Sequence, residues 1–358
     1  MEAYMSQRRQ ARILDVALEA GVGTATVDRV LNNRSGVSEK MLKRVKEAAQ
    51  IVSSRELNLI NQNGQAKTKI FEILLPKDEE LSTAMFGQIL ASLAIENEVN
   101  IKISLVEKMD PFALTSHLRE VKQRNPSGVA FVAVDEAIVC DAVNDLINHG
   151  IAVVCISSGL DSSLEVPVVG MDNRAAGRTA GSLLGLFTGG KGKIGLVWGG
   201  ELYRSHELRE IGFRSVIRTE YPQIEILDLV SGGDDNHGNY LQVSQFLADH
   251  PDTSGIYSVG GGNIGIISAI DEMSKKSHLS VIAHNLCEDK RKLLMNGKIK
   301  GVIHYNPQAA AQLVISALKS QKYKRKPRNL SVAIEIILKE NIQGKFSLHH
   351  QPYAKLIS

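Results

Sequence analysis

Two glycine clusters, Gly189-Gly190-Lys191-Gly192-Lys193 and Gly260-Gly261-Gly262-Asn263, have the composition of loops that offer backbone amides to an anion. Neither fits G-x-x-x-x-G-K-[ST] or a strand-linked G-x-G-x-x-G, and a turn before a strand accounts for the first. His206, His284 and His304 have no evident serine or cysteine partner, and G-x-S-x-G, H-E-x-x-H and paired metal-ligand spacings do not occur. The chain is therefore read as having no catalytic residue, no metal site and no cofactor, although His284 and His304 can still line a cleft. Cys140, Cys155 and Cys287 are odd in number, lack C-x-x-C spacing and sit beside apolar runs, as buried reduced thiols do. What remains is binding chemistry. Arg29 and Asn32 lie on a short helical stretch, where a guanidinium and an amide can reach phosphates or base edges. Asp234 and Asp235 can accept hydrogen bonds from hydroxyl groups or shape a turn in Gly-Gly-Asp-Asp-Asn, and both readings stand.

The elements that must position these groups fall into a small head and a large body. A chain of 358 residues, 43% hydrophobic and 23% charged, is ordinary globular material with length for two or three domains. It has no apolar run of about 18 residues, and MEAYMSQRRQ is polar with no apolar stretch behind it. The expectation is a cytoplasmic protein without a membrane span or secretory signal. The net charge of +3 divides unevenly: residues 1–69 hold twelve Lys/Arg and seven Asp/Glu, a balance of +5, leaving −2 for the rest. A basic head on a mildly acidic body suits contact with a polyanion; an ordinary solvated basic helix surface explains the charge equally well.

In the head, Ile13 to Val22 places apolar residues at helical spacing and breaks at Gly21. Thr24-Ala25-Thr26-Val27-Asp28-Arg29-Val30-Leu31-Asn32 then opens on a hydroxyl able to cap amides and keeps Val27, Val30 and Leu31 on one face. Two short helices about a glycine turn make a helix-turn-helix, whose second helix enters the major groove of DNA; a three-helix docking module would show the same spacing. A third helix follows, with Met41, Val45, Ala48 and Ala49 as its packing face.

From Ile70 onward, Val- and Ile-rich runs of strand length alternate with helical stretches such as Phe112–Arg124 and Tyr240–His250, the pattern of parallel α/β sheets. FEILLP, NIKISLV, GVAFVAV, IAVVCIS and VPVVGM predict one lobe, and KIGLVWG, IEILDLV, GIYSVG, SVIAHN and KGVIHY a second. Two doubly wound parallel-sheet lobes leave a ligand cleft facing the carboxyl ends of their strands. Leu330 to Leu338 is the last strand and is expected to return to the second lobe. The expected boundaries are a helix-turn-helix domain at 1–52, a linker at 53–69, a first lobe at 70–169 with 305–330, a second at 170–304 with 331–346, and a tail at 347–358.

DVALEAGVGTATVDRVLNNRSGVSEKMLKRVKEAA, residues 15–49, resembles the DNA-binding head of the lactose-repressor (LacI) family, including its DVA, GV, ATV and RVLN elements. By that likeness Thr24, Ala25, Thr26, Arg29 and Asn32 face DNA. Asp28 stands where the family usually has serine, and Ser53–Gly64 lacks the Tyr-x-Pro-Asn element and a clear hinge leucine, so a DNA-bending hinge helix is not implied. VGMDNRAAGRTAGSLLGLFTGGKGKIGLVWGG with Arg209-Glu210-Ile211-Gly212-Phe213 resembles the type I periplasmic sugar-binding (periplasmic-binding-protein-like) fold over residues 70–345. This likeness assigns effector contacts to Ser157, Arg209, Asn285 and Tyr305, and Asp235, by its place near the expected cleft entrance, is the acidic residue expected to join them. Asn285 replaces a customary aspartate, and Gly260-Gly261-Gly262 stands where relatives carry Asn-Asp, leaving room for a bulkier ligand. Together the resemblances imply a homodimeric regulator that binds operator DNA under control of a sugar- or polyol-like effector. A sensor that has lost specific DNA binding is the other expectation.

Overall fold

The structure is a computed structural model that describes residues 16–17, 19–31, 37–38, 41–48, 69–77, 82–161, 163–200, 202–228, 233–273, 279–320 and 330–342. Almost all of the expected linker and the whole expected tail lie outside the described residues. The chain forms two compact units, Met1–Thr68 and Lys69–Ser358.

In the first unit, helical residues 16–17 and 19–20 end where Val22 N donates to the Ala17 carbonyl at 3.0 Å and Gly21 takes a φ of +60°. Helix α1 (Thr24–Leu31) starts as the Gly23 carbonyl accepts from Thr26 N and Val27 N. Val16, Ala20, Val27, Val30, Val45 and Ala48 are buried together, so the apolar spacing builds a core shared with the helical residues 41–48. Met41, expected in that core, is instead 45% exposed. Ala49 lies outside the described residues.

The strands of the second unit are β1 (Ile70–Pro76), β2 (Asn100–Val106), β3 (Gly128–Phe131), β4 (Ala152–Ile156), β5 (Val168–Met171), β6 (Lys191–Val197), β7 (Gln223–Asp228), β8 (Thr253–Ser258), β9 (Ser280–His284), β10 (Gly301–Tyr305), β11 (Ser331–Val332) and β12 (Ile334–Ile337). Among the described residues they form two six-stranded sheets, ordered β11-β5-β4-β3-β1-β2 and β12-β10-β9-β8-β6-β7. Every pairing is parallel except that of β12 with β10. Helices α2 (Ser82–Glu96), α3 (Pro111–Arg124), α4 (Ala137–Asn148) and α10 (Pro307–Ser320) cover the first sheet. Helices α5 (Asn173–Phe187), α6 (Arg204–Glu220), α7 (Asn236–Asp249), α8 (Asn263–Met273) and α9 (Glu288–Met295) cover the second.

Strand alternation explains the layering. Phe71, Ile73 and Leu75 pack under α2 and α10, while Leu74 between them joins the opposite core with α3 and α4. Both faces of each sheet are therefore covered, which is why the strands read as unbroken apolar runs.

The chain passes between lobes at Met171–Asn173, Tyr305–Pro307 and Val332–Ile334. The exchange expected at 169/170 falls two residues later, because Gly170 and Met171 pair with β11 in the first sheet. The last segment does not return whole to the second lobe: Ser331 and Val332 extend the first sheet, and only Ile334–Ile337 pairs with β10.

Helices α5 and α6 cross at backbone contact. A Cβ on Gly177 would lie 1.8 Å from the Arg209 carbonyl oxygen, and one on Gly212 would lie 2.1 Å from that of Arg174. These hydrogens-only positions fix the height of α6 over its sheet. Gly177→Ala is expected to push α6 outward and lower unfolding stability by about 1–3 kcal/mol, read by urea denaturation. An unchanged midpoint would show that the crossing yields freely.

Candidate functional site

A cavity of about 160 Å³ opens where the carboxyl ends of both sheets face each other. The first lobe contributes Pro76, Phe86, Lys108 and Ser157, and the second contributes Arg209, Asp234, His284, Asn285 and Lys290. Tyr305 and Pro307 line it at one of the crossings between lobes. Ser157, Asp234 and Asn285 hold φ values of +62°, +60° and +58°. Non-glycine residues keep such backbones only where the surroundings over-determine them, which concentrates them at ligand clamps.

Arg209 is 3% exposed. Its Nε donates to Asn173 Oδ1 at 2.9 Å and one terminal nitrogen donates to the Val259 carbonyl at 2.8 Å. Asn173 also donates through Nδ2 to the Ser157 carbonyl at 2.9 Å, tying the arginine to the end of β4 in the other lobe. Asn173 is placed by its neighbour Asp172, whose carboxylate caps α5 through Ala175 N at 2.9 Å. Among the described residues no carboxylate forms an ion pair with Arg209, and burial pulls its pKa below the ordinary value. A surface ion pair is therefore not its role.

The glycine cluster after β8 does not leave a void. A Cβ on Gly260 would lie 2.0 Å from Asp234 Oδ1, and Gly261 N donates to that same oxygen. The space is filled by the Asp234 carboxylate, so the expectation of room for a bulkier ligand is corrected. Lys108, from the first lobe, approaches Asp234 Oδ2 at 3.4 Å and donates to its carbonyl. Asp235, the acidic residue expected at the effector site, is not part of the cavity lining: it caps α7, accepting from Gly238 N at 2.8 Å. Two adjacent aspartates thus divide the work, one facing the cavity and one starting a helix.

Three histidines line the cavity as neutral imidazoles. Burial, with Arg209 nearby, holds His206 down to about 3 and His284 well below its usual value; burial, with Lys290 nearby, holds His304 down to about 4. Leu286 N donates to His304 Nδ1 at 3.2 Å, which places the proton on Nε2. His284 Nε2 lies 2.7 Å from the Tyr257 hydroxyl, and His284 Nδ1 has no hydrogen-bond partner among the described residues.

Further contacts join the lobes beside the cavity: Arg204 to Asp135 at 3.4 Å, Asp135 N to the Leu202 carbonyl at 3.1 Å, and Ser205 N to Ser158 Oγ at 3.4 Å. Of the residues expected at the site, Ser157, Arg209, Asn285 and Tyr305 line the cavity together. Thr83 and Phe86, left unassigned by the sequence, line it too. Lys108, Asn173, His206 and Lys290 were missed; VGMDN carried the only signal for Asn173. In the head, Thr26 is half-buried and Arg29 exposed on α1, off the face of the buried Val27 and Val30. Thr24 and Ala25 open α1, but their side chains, like Asn32, lie outside the described residues. No helix among the described residues is long and apolar enough to cross a membrane.

Residues 101–326 match the periplasmic binding protein domain family, and residues 12–53 match the bacterial regulatory proteins of the lacI family. A D-ribose/D-allose-binding protein of Pseudomonas aeruginosa is 24% identical over 52% of this chain and 60% of its own. The HTH-type transcriptional regulator TreR of Salmonella typhimurium is 30% identical over 36% of this chain and 41% of its own. For RegA of Clostridium saccharobutylicum, also an HTH-type transcriptional regulator, the figures are 29%, 45% and 47%. The chain thus spans between two-fifths and three-fifths of these relatives' lengths. Among solved structures, a solute-binding protein of Burkholderia graminis in complex with D-arabinose superposes with a TM-score of 0.72 at 19% identity, covering 78% of this chain and 99% of that one. One from Actinobacillus succinogenes with bound D-allose gives 0.70 at 18%, covering 76% and 98%. With two sheets of one strand order facing a shared cavity and a helix-turn-helix ahead of them in the sequence, the chain belongs to the periplasmic binding protein domain family and carries a lacI-family regulatory head.

Proposed function

We propose that this chain is a sequence-specific transcriptional regulator, acting as a cytoplasmic homodimer, whose hold on operator DNA is set by a small polyhydroxylated effector bound between the lobes. The observation that carries the reading is the union, in one chain, of a lacI-type helix-turn-helix with a cavity lined from two lobes. Thr26 and the exposed Arg29 on α1 are the described head groups suited to phosphate or base contact, with Thr24, Ala25 and Asn32 assigned by the family likeness. Ser157, Arg209, Asn285 and Tyr305 serve the effector, with Asp234 taking the place given to Asp235.

The mechanism is linkage. A ligand touching both lobes stabilises one relative lobe orientation, and whatever favours that orientation must change DNA affinity by the same factor that DNA changes ligand affinity. Lys108–Asp234 and Arg204–Asp135 already join the lobes, so the ligand acts on an orientation that ionic contacts across the cleft hold in part.

Fluorescence anisotropy on DNA from upstream of the protein's own gene, against a scrambled duplex, tests the reading. Specific binding that survives about 150 mM salt is expected, and Arg29→Ala is expected to weaken it and to reduce the salt slope by about 1. Equal binding to both duplexes, abolished by salt, would leave a sensor without specific DNA recognition. On the ligand side, Arg209→Lys keeps the charge but loses the planar fork. It is expected to raise at least about tenfold the concentration of any active effector needed to change operator affinity.

A further inference from the structure

The second lobe sends one aromatic side chain into the first. Tyr203 lies between β6 and α6, both elements of the second lobe, yet it is 6% exposed and joins the first lobe's core beside Leu74, Val106, Leu114 and Val134. Among the described residues it is the only buried member of that core supplied by the second lobe, and it belongs to neither second-lobe core. Leu202 packs against the same cluster, half-buried. Two glycines shape the approach: a Cβ on Gly199 would lie 2.5 Å from His206 Cε1, and Gly200 holds a φ of +103°. Tyr203 directly precedes α6, but its side chain makes no capping hydrogen bond to that helix. It crosses the cleft instead.

The surrounding contacts form a seam with this ring at its centre. Met109 N donates to the Tyr203 hydroxyl at 3.4 Å, Asp135 N to the Leu202 carbonyl at 3.1 Å, and Ser205 N to Ser158 Oγ at 3.4 Å. Charges cross as well: Arg204 reaches Asp135, and Lys108 the Asp234 carboxylate, each at 3.4 Å. These pairs decide little. Arg204 is 33% exposed, where water screens the attraction, and the more buried Lys108–Asp234 pair loses much of its gain to desolvation. A buried aromatic ring carries no such offset, because leaving water is itself the favourable step. Tyr203 also lines the cavity, where it meets the ring of His206 edge-on, with centroids 5.4 Å apart and planes at 86°. His206 lines the cavity too.

We propose that Tyr203 is a latch between the lobes, an apolar plug that holds the cleft closed more firmly than the ion pairs around it do. The lobes cannot part to admit or release a ligand without drawing this ring out of the first lobe's core. A ligand that touches His206 braces the ring in place, so occupancy of the cavity is passed to lobe orientation through two stacked-edge aromatic groups. The latch holds whichever ligand the cavity takes, and its failure would leave the regulator reading untouched.

Amide hydrogen exchange on the full-length protein, read at single residues, tests this. The amides of Met109, Asp135 and Ser205 donate across the cleft and report on its opening. In Tyr203→Ala all three are expected to exchange about tenfold or more faster, while the strand amides of β3 and β8 keep their rates. In Tyr203→Phe, which keeps the ring and loses the hydroxyl, Asp135 and Ser205 are expected to stay as slow as in the unaltered protein. Slow exchange at Asp135 and Ser205 in Y203A would overturn the latch. So would Y203F exchanging as fast as Y203A, which would assign closure to the hydroxyl rather than to the ring. Should Y203A not fold, the unaltered protein decides in urea below its unfolding transition. A shared opening of the three amides that grows with urea, as withdrawal of buried apolar surface requires, supports the latch, and exchange indifferent to urea overturns it.

Discussion

A guanidinium taken out of water and met by neutral oxygens is the constraint around which this body is arranged. Arg209 can sit 3% exposed only because its donors are aimed: Nε at the amide of Asn173 and a terminal nitrogen at the Val259 carbonyl. Each partner depends on something further out. Asn173 stands where it does because Asp172 caps α5 at a crossing between lobes. The arginine's own backbone lies against α5 because Gly177 and Gly212 have no Cβ to keep the helices apart. A charge, an amide, a helix cap and two glycines form one unit, and it spans the passage from β5 to α6.

Much of this was legible in the chain. Strands covered on both faces announce themselves as Val- and Ile-rich runs, so β1 to β10 fell where the runs lay. Arg209 was marked by R-x-x-G-F, a spacing that places the arginine one turn before the glycine on which the helix crossing rests. The misses share a physical cause. Asp234 and Asp235 differ in nothing local; which of them faces the cavity is decided by where α7 begins, and capping claims the second. Gly260 reads as a missing side chain until the fold brings in Asp234, a carboxylate from a loop 26 residues earlier. Lys108 and Lys290 follow no motif, since their value lies in what they meet across space.

The head obeys simpler rules. Its core is a handful of small aliphatic residues, and the positive φ at Gly21 turns the chain between the first helical residues and α1. Met41 belongs to the helical face by spacing yet stays 45% exposed.

The three passages between lobes bear on how the protein is made. Neither lobe is a contiguous stretch of chain: the first sheet takes its edge strand β11 from residues 331–332, and the second takes β12 from 334–337. During synthesis both sheets must therefore wait, with β5 and β10 unpaired along one edge, until residues 331–337 have emerged. Exposed strand edges are templates for intermolecular pairing, so the interval before residues 331–337 arrive is when a nascent chain is most open to aggregation. A break as small as Ala333 then closes both edges in one stroke, making completion of the two lobes a single late event.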